Sequence, residues 1–446
     1  MTDRKKGLTL AIFLAFGLLV LSAPAQAELS GVQSSSQINN ADTAWVLISS
    51  LLVLMMTIPG LALFYGGMVR RKNVLSVLMQ SFILAAVVSL QWVICGYSLA
   101  FSPGNPIIGS LSWVGLHGVS AGHPYAAYSA TIPHQAYMIF QCMFAIITPA
   151  LITGAIAERM SFRGFLLFSL LWTTLIYDPL AHWVWGIDGW IHQMGALDFA
   201  GGTVVHISSG TAALAAALLV GSRSGFPREH NAPHNLTLTI TGAAMLWVGW
   251  FGFNAGSSLS ADGLAVSAFV ATHLGAAAAA MTWVAAEWLT ASKPTTLGAA
   301  SGAVAGLVAI TPASGYVCPL SAIVIGGVAG VLCFYAVRLK LRLRFDDALD
   351  VVGVHAVGGI WGALATGLLA SAAVNPSGAN GLLLGNPRQL GLQAIAVVAT
   401  IAFSFVGTAV LLKVTDALVG LRVDQEAEET GLDLSEHEER AYAFES

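Results

Sequence analysis

The chain alternates between long apolar stretches and short polar connections along almost its whole length. Eleven stretches reach the roughly 20 mostly apolar residues that a membrane-spanning helix needs. Charged residues make up only 9% of the chain, against about 25% in an ordinary soluble domain. A surface with so little charge must face lipid, so we predict an all-α integral membrane protein with eleven transmembrane helices. The predicted spans are 42–66, 74–100, 132–157, 164–184, 199–221, 235–257, 263–288, 296–312, 318–338, 350–373 and 389–412.

The N-terminus has the three parts of a secretory signal peptide. A basic start at 4–6 precedes an apolar core at 8–21 and a small-residue cleavage site at 25–27. An uncleaved first helix is the alternative. The predicted organisation is a signal peptide at 1–27, a membrane domain at 28–414 and a cytoplasmic tail at 415–446.

Positive charge orients the spans. After the signal peptide, fifteen of the sixteen Lys and Arg residues fall in connections on one side, and only Arg388 falls on the other. Because cytoplasmic connections carry the positive charge, we predict an N-terminus outside and a C-terminus inside. The formal net charge of −4 gives no reason to expect nucleic acid as a partner.

The fifth and tenth stretches resemble each other. Each has an aspartate near its start, Asp198 or Asp350, followed by glycines and a histidine, His206 or His355. An offset of five spans makes the two copies run in opposite directions, as in an inverted repeat. Spans one to five would then match six to ten, with span eleven added. The likeness is short, and coincidence is the alternative.

The two histidines are the best candidates for function, because ionisable groups inside a membrane are costly and usually functional. A neutral imidazole both donates and accepts hydrogen bonds. A facing pair could therefore share a proton and line a narrow path for a small polar solute. The alternative is a histidine bonded to a neighbouring helix. No suitably spaced third ligand is present, so we predict neither metal nor cofactor.

Other polar residues lie near the ends of spans. Asp198 and Asp350 are expected to cap their helices, and the field of Asp198 could also stabilise a cation. Tyr177 and His182 lie near the outer end of the fourth span. They belong either to an interfacial aromatic belt or to a cation site.

These motifs together resemble the ammonium transporter family (the Amt/Mep/Rh superfamily), and in particular its bacterial Amt branch. The match runs in the family's order through nearly the whole mature chain. Its strongest part is the stretch Asp198-Phe-Ala-Gly-Gly-Thr-Val-Val-His206. The others are Pro59-Gly-Leu-Ala-Leu-Phe-Tyr-Gly-Gly67, Gly154-Ala-Ile-Ala-Glu-Arg159, Gly249-Trp-Phe-Gly-Phe-Asn-Ala-Gly-Ser257 and Gly353-Val-His355.

The resemblance implies an outer cation site, a phenylalanine gate beneath it and a histidine pair in the pore. The outer site is matched by Phe144, Trp185 and Ser257, with Phe140 in support. The gate is matched by Phe144 and Phe253, and the pore pair by His206 and His355. Asp198 matches an aspartate that organises the outer site. The implied activity is recruitment and deprotonation of ammonium, conduction of ammonia and separate transfer of the proton. The family is trimeric, so a homotrimer in membrane lipid is expected. The likeness to the bacterial branch implies that this membrane is the bacterial cytoplasmic (inner) membrane.

The acidic tail supports two interpretations. Composition alone is typical of a solvated, partly disordered end. The tail also resembles the family's regulatory tail, which helps a PII-type signalling protein dock on the cytoplasmic face. Its pair Glu439-Arg440 departs from the family pattern.

Three other functions remain open. An ammonium sensor would keep the fold, but no fused signalling domain is evident. A Rhesus-type channel for neutral gas would lack the outer site that Trp185 and Ser257 match. A membrane-embedded enzyme would need a nucleophile or a metal set that the sequence does not offer, so we expect no enzyme.

Overall fold

A computed structural model of the chain describes residues 38–227 and 232–442, so the predicted signal peptide lies outside the described residues. In these ranges, ten helices are long and apolar enough to cross a membrane, and one apolar helix is shorter. The all-α, multi-pass membrane fold is therefore confirmed. The helices are α1 Asn40–Met68, α2 Arg71–Phe101, α3 His134–Ile156, α4 Phe162–Met194, α5 Gly202–Val220, α6 Leu236–Gly256, α7 Gly263–Ala291, α8 Thr296–Ile310, α9 Pro319–Leu343, α10 Val352–Leu369 and α11 Pro387–Val419.

The shorter helix is α8. Its 15 residues span about 22 Å, less than the roughly 30 Å of a bilayer core. The chain continues as turns through 311–317, and these turns are largely buried. Irregular backbone is tolerated at such a depth only inside protein. The turns also support the pore region, because the hydroxyl of Thr311 accepts a hydrogen bond from Trp250 Nε1 at 2.9 Å.

The helices divide into enclosed and peripheral ones. Almost all of α3 and α5 is buried, whereas α7, α9 and α11 expose large apolar side chains such as Val266, Leu320 and Val398. Apolar side chains on an outer face suit a lipid environment. The centre of the bundle is therefore built around α3 and α5.

A buried charge network joins four connections at one end of the bundle. Glu158 accepts hydrogen bonds from the Nε of Arg70 at 2.8 Å and from the Nη1 of Arg223 at 3.3 Å. Arg223 also binds both carboxylate oxygens of Asp346, at 2.8 and 2.9 Å. Arg159 donates to the carbonyl oxygen of Asp346 at 2.6 Å. Each buried charge thus has a partner, as burial requires.

Replacing Asp346 with asparagine is expected to lower the melting temperature of the purified protein, because Arg223 would lose its closest anion. Breaking a buried pair costs about 3–5 kcal/mol. Burial raises the pKa of Asp346, but the hydrogen bonds and charges of Arg223 and Arg159 outweigh it and hold the pKa below its ordinary value. The stabilisation is therefore complete above pH about 4 and is lost as the pH falls through the lowered pKa.

Thermal unfolding at a series of pH values measures this effect. Asp424→Asn is the matched control, because Asp424 is exposed and caps only a short tail helix. Equal melting temperatures for the two variants would contradict the buried role of Asp346.

The tail is folded through Tyr442, so the composition-based expectation of a partly disordered end is wrong for 415–442. It contains two short helices, α12 Gln425–Thr430 and α13 Leu432–His437. Its acidic side chains accept hydrogen bonds from backbone N–H groups of one connection and two helix starts: Glu428 from Ser224 after α5 at 2.6 Å, Asp433 from Ser76 in α2 at 2.8 Å and Glu436 from Phe162 in α4 at 2.8 Å. The tail is therefore hydrogen-bonded to one end of the bundle.

Candidate functional site

A cavity of about 540 Å³ opens at the end of the bundle opposite the tail. We call it the vestibule. Its walls include every residue predicted for the outer site: Phe140, Phe144, Trp185, Asp198 and Ser257. These residues come from α3, α4, the position that follows α6 and the connection before α5, so folding brings together positions that are far apart in sequence.

The indole of Trp185 is held in place in the vestibule wall. Its Nε1 donates to the carbonyl oxygen of Asp198 at 2.9 Å, and its ring meets that of Phe144 edge to face, with centroids 5.8 Å apart. Ser257 donates its hydroxyl to the carbonyl oxygen of Phe253 at 2.9 Å. The lone pairs of that hydroxyl remain able to accept a hydrogen bond from a solute.

Asp198 organises the start of α5. Its Oδ1 accepts from the N–H groups of Gly201 and Gly202 at 2.9 and 2.7 Å, and its Oδ2 from those of Thr203 and Val204 at 2.8 and 3.1 Å. These are helix-capping contacts, as predicted. Burial raises the pKa of Asp198 above its ordinary value, and the four N–H groups act in the opposite direction.

Two phenylalanine rings close the floor of the vestibule. Phe144 and Phe253 lie with centroids 4.3 Å apart and planes inclined by 33°. Phe144 lines the vestibule, whereas Phe253 lines a second cavity of about 10 Å³ beneath it. That volume is about what one water molecule needs. The ring pair therefore separates a wide polar space from a narrow one.

His206 and His355 meet in the narrow space. Their Nδ1 atoms are 3.2 Å apart, and both side chains are buried. The ring of His206 also stacks with Trp250 at 5.5 Å. Its Nε2 has no hydrogen-bond partner among residues 38–227 and 232–442. Each histidine lies in a π-helical turn, Gly202–Ile207 in α5 and Val352–Ala356 in α10.

The capping role expected of Asp350 is wrong. Asp347 accepts from the N–H groups of Val351 and Val352 at 3.1 and 2.7 Å. Asp350 instead has a left-handed backbone (φ 64°) and pairs with Lys340. Comparing the fifth and tenth spans could have identified Asp347 as the capping residue, because it precedes His355 by eight positions, as Asp198 precedes His206. Burial raises the pKa of Asp347 to about 6.

Neither Tyr177 nor His182 lines the vestibule, and both side chains are fully buried inside the bundle, so the structure supports neither an interfacial belt nor a place in the outer site for them. Tyr177 packs beside Trp92, with ring centroids 6.2 Å apart. The ring nitrogens of His182 lie 3.0 Å from the carbonyl oxygen of Ala100 and 2.7 Å from that of Asn105. His182 therefore holds the connection after α2 in place through these contacts and faces neither lipid nor the vestibule.

Sequence reasoning missed two groups of residues around the path. Tyr137, Gln141, Asn375 and Ser377 also line the vestibule. Nothing in the local sequence identifies Asn375 or Ser377, because only tertiary folding places their connection there. Trp250, beside the histidines, could have been predicted to line the path, because it precedes Phe253 by three positions and so lies on the same helix face.

Metal chemistry has no support in the described part of the chain. No group of three or more His, Cys, Asp or Glu side chains in 38–227 and 232–442 could hold a metal ion.

Known proteins resemble the chain over most of its length. A family model described as the Ammonium Transporter Family matches residues 44–442. An ammonium transporter of Bacillus subtilis is 53% identical over 402 residues, covering 90% of this chain and 98% of that protein. The crystal structure of Saccharomyces cerevisiae Mep2 superposes with a TM-score of 0.82 at 36% identity, covering 90% and 93% of the two chains. A structure titled "Sensor Amt Protein" gives 0.81 at 29%, covering 89% and 98%.

Proposed function

The chain belongs to the ammonium transporter family, and on this premise we propose that it recruits ammonium at the vestibule, deprotonates it and conducts ammonia past the phenylalanine pair to the histidines. The single observation that carries the proposal is the change in width and polarity across the rings of Phe144 and Phe253. The proton follows a separate course.

Recruitment depends on the vestibule wall. Ammonium must lose part of its hydration to reach Phe144, and an aromatic face replaces about 0.5–2 kcal/mol of that interaction. The indole of Trp185 and the ring of Phe144 provide two such faces, and the Ser257 hydroxyl accepts one N–H bond. Asp198 keeps the indole in position through its carbonyl oxygen.

The narrow cavity below the phenylalanine pair favours the deprotonation of ammonium. A cavity of about 10 Å³ admits no hydration shell, and its walls are mostly apolar, including Leu246 and Val304. Desolvating a full charge there costs far more than desolvating a neutral molecule. Ammonium can give up a proton and enter as ammonia, whereas potassium cannot.

The histidine pair then receives ammonia. A 3.2 Å distance between two Nδ1 atoms requires a single shared proton, so one ring donates and the other accepts. In the neutral pair, one Nε2 is then an N–H donor and the other carries a lone pair. The pair thus presents one donor and one acceptor to ammonia. When the accepting Nε2 takes up the proton that ammonium gives up, the shared proton moves to the other ring and that ring releases its Nε2 proton, so the two roles are exchanged. We propose this exchange as the proton's route.

Currents from purified protein in liposomes on a solid-supported membrane test this function. We expect a current after an ammonium jump and none after a potassium jump. In Trp185→Leu the half-saturating ammonium concentration should rise about 2- to 30-fold, the equivalent of one cation–π contact.

Trp190→Leu is the matched control, because Trp190 packs on Trp183 outside the vestibule lining. Equal currents with both ions would overturn the proposed selectivity. An absence of current in folded protein would instead favour an ammonium sensor, the second candidate, which the likeness to the sensor structure supports.

Several features of the assembly remain part of the proposal. The positively charged connections and the tail bound at the same end of the bundle support a cytoplasmic C-terminus. The equal Asp–His spacing at α5 and α10 supports an inverted repeat. From the family resemblance we also infer a cleaved signal peptide, a homotrimer and a PII-type partner at the tail. No enzymatic reaction is assigned to the histidines.

A further inference from the structure

A third cavity, of about 440 Å³, lies at the tail end of the bundle, between the start of α2, with the residue before it, and the last tail residues. We call it the basic pocket. Its walls carry four basic side chains, Arg70, Arg71, Lys72 and Arg440, and two carboxylates, Asp433 and Glu439. The balance of charge in the pocket is therefore positive.

Lys72 and Arg70 do not use all of their donors in the hydrogen bonds that they make within the described residues. Lys72 donates to the uncharged backbone carbonyl of Glu429, and the carboxylates of Glu158, Glu428 and Glu429 also act on its charge. Arg70 uses its Nε on Glu158, and its Nη2 is buried with no hydrogen-bond partner among the described residues. Asp433 already accepts the N–H of Ser76 at the start of α2. Among the side chains that line the pocket, basic groups outnumber carboxylates by four to two.

We propose that the basic pocket binds a phosphate group, supplied by an anionic lipid headgroup or by a soluble phosphate. Guanidinium groups match the geometry of phosphate oxygens, and an ammonium adds a point charge. Basic pockets at the cytoplasmic ends of membrane helices suit lipid headgroups. A bound phosphate would join Arg440 of the tail to Lys72 at the start of α2. This site is independent of the transport path.

Hydrogen–deuterium exchange of tail amides 431–442 in the full-length protein tests the site. One arm adds inorganic phosphate to protein in detergent, with sodium chloride at equal ionic strength as the reference. The other compares nanodiscs of phosphatidylcholine with nanodiscs that also contain phosphatidylglycerol. We expect the anion to slow exchange about tenfold in at least one arm, because it adds charge-assisted bonds to the tail.

The variants Arg440→Gln and Lys72→Gln should remove most of that slowing, measured as the ratio of rates with and without the anion. Arg342→Gln is the matched control, because Arg342 is exposed at the end of α9 and lies outside the basic pocket. Slowing by phosphate alone assigns a soluble ligand, and slowing by phosphatidylglycerol alone assigns a lipid. No slowing in either arm, or equal slowing in all variants, would overturn the proposal.

Discussion

Replacing His206 with alanine is expected to reduce the selectivity for ammonium over potassium more than tenfold, a change of at least about 1.4 kcal/mol. The imidazole lines the narrow cavity and lies within hydrogen-bond distance of His355. Its removal enlarges the cavity, admits water and lowers the desolvation cost that excludes potassium. It also breaks the proposed route for the proton. The measurement is the ratio of ammonium to potassium currents in liposomes.

His273→Ala is the matched control, because His273 is an exposed residue of α7 that contacts Trp247 and does not line the pore cavities. Its current ratio should stay at the wild-type value. A wild-type ratio in His206→Ala, in protein with an unchanged melting temperature, would show that the histidine pair does not set selectivity.

The spans and the histidines were predictable because each depends on local pattern. Long apolar stretches define helices without reference to neighbours, and a histidine inside such a stretch is conspicuous. The length of α8 was not predictable, since its apolar sequence continues into turns that only tertiary burial permits. Likewise, acidic composition does not reveal that Asp433 and Glu436 accept backbone N–H bonds at helix starts.

The error at Asp350 has a specific cause. Both Asp347 and Asp350 precede the same apolar stretch, and either could cap it. The choice depends on the backbone between them, where Asp350 adopts a left-handed conformation and turns towards Lys340. Such a turn depends on packing. The eight-residue spacing to the histidine was the sequence signal that favoured Asp347.

Replacing Asp198 with asparagine is expected to abolish ammonium currents and to destabilise the start of α5. Each carboxylate oxygen accepts two N–H groups, so an amide nitrogen in either position loses two bonds and faces two donors. At about 1.5–3 kcal/mol for each bond to a charged group, the local loss is roughly 3–6 kcal/mol. The disturbance reaches both parts of the site, because the carbonyl of Asp198 holds Trp185 and the turn that it caps carries His206.

Asp188→Asn separates this effect from a general loss of negative charge near the vestibule. Asp188 lies in a short non-helical break within α4, just after Trp185, and accepts one N–H, from Gly104 at 3.0 Å. Its variant should retain currents within about twofold of wild type, because one exposed hydrogen bond contributes little. If both variants lost their currents equally, negative charge at this end of the bundle would explain the effect. If Asp198→Asn kept wild-type currents and melting temperature, the proposed role of the four N–H bonds in positioning the outer site and the start of α5 would be wrong.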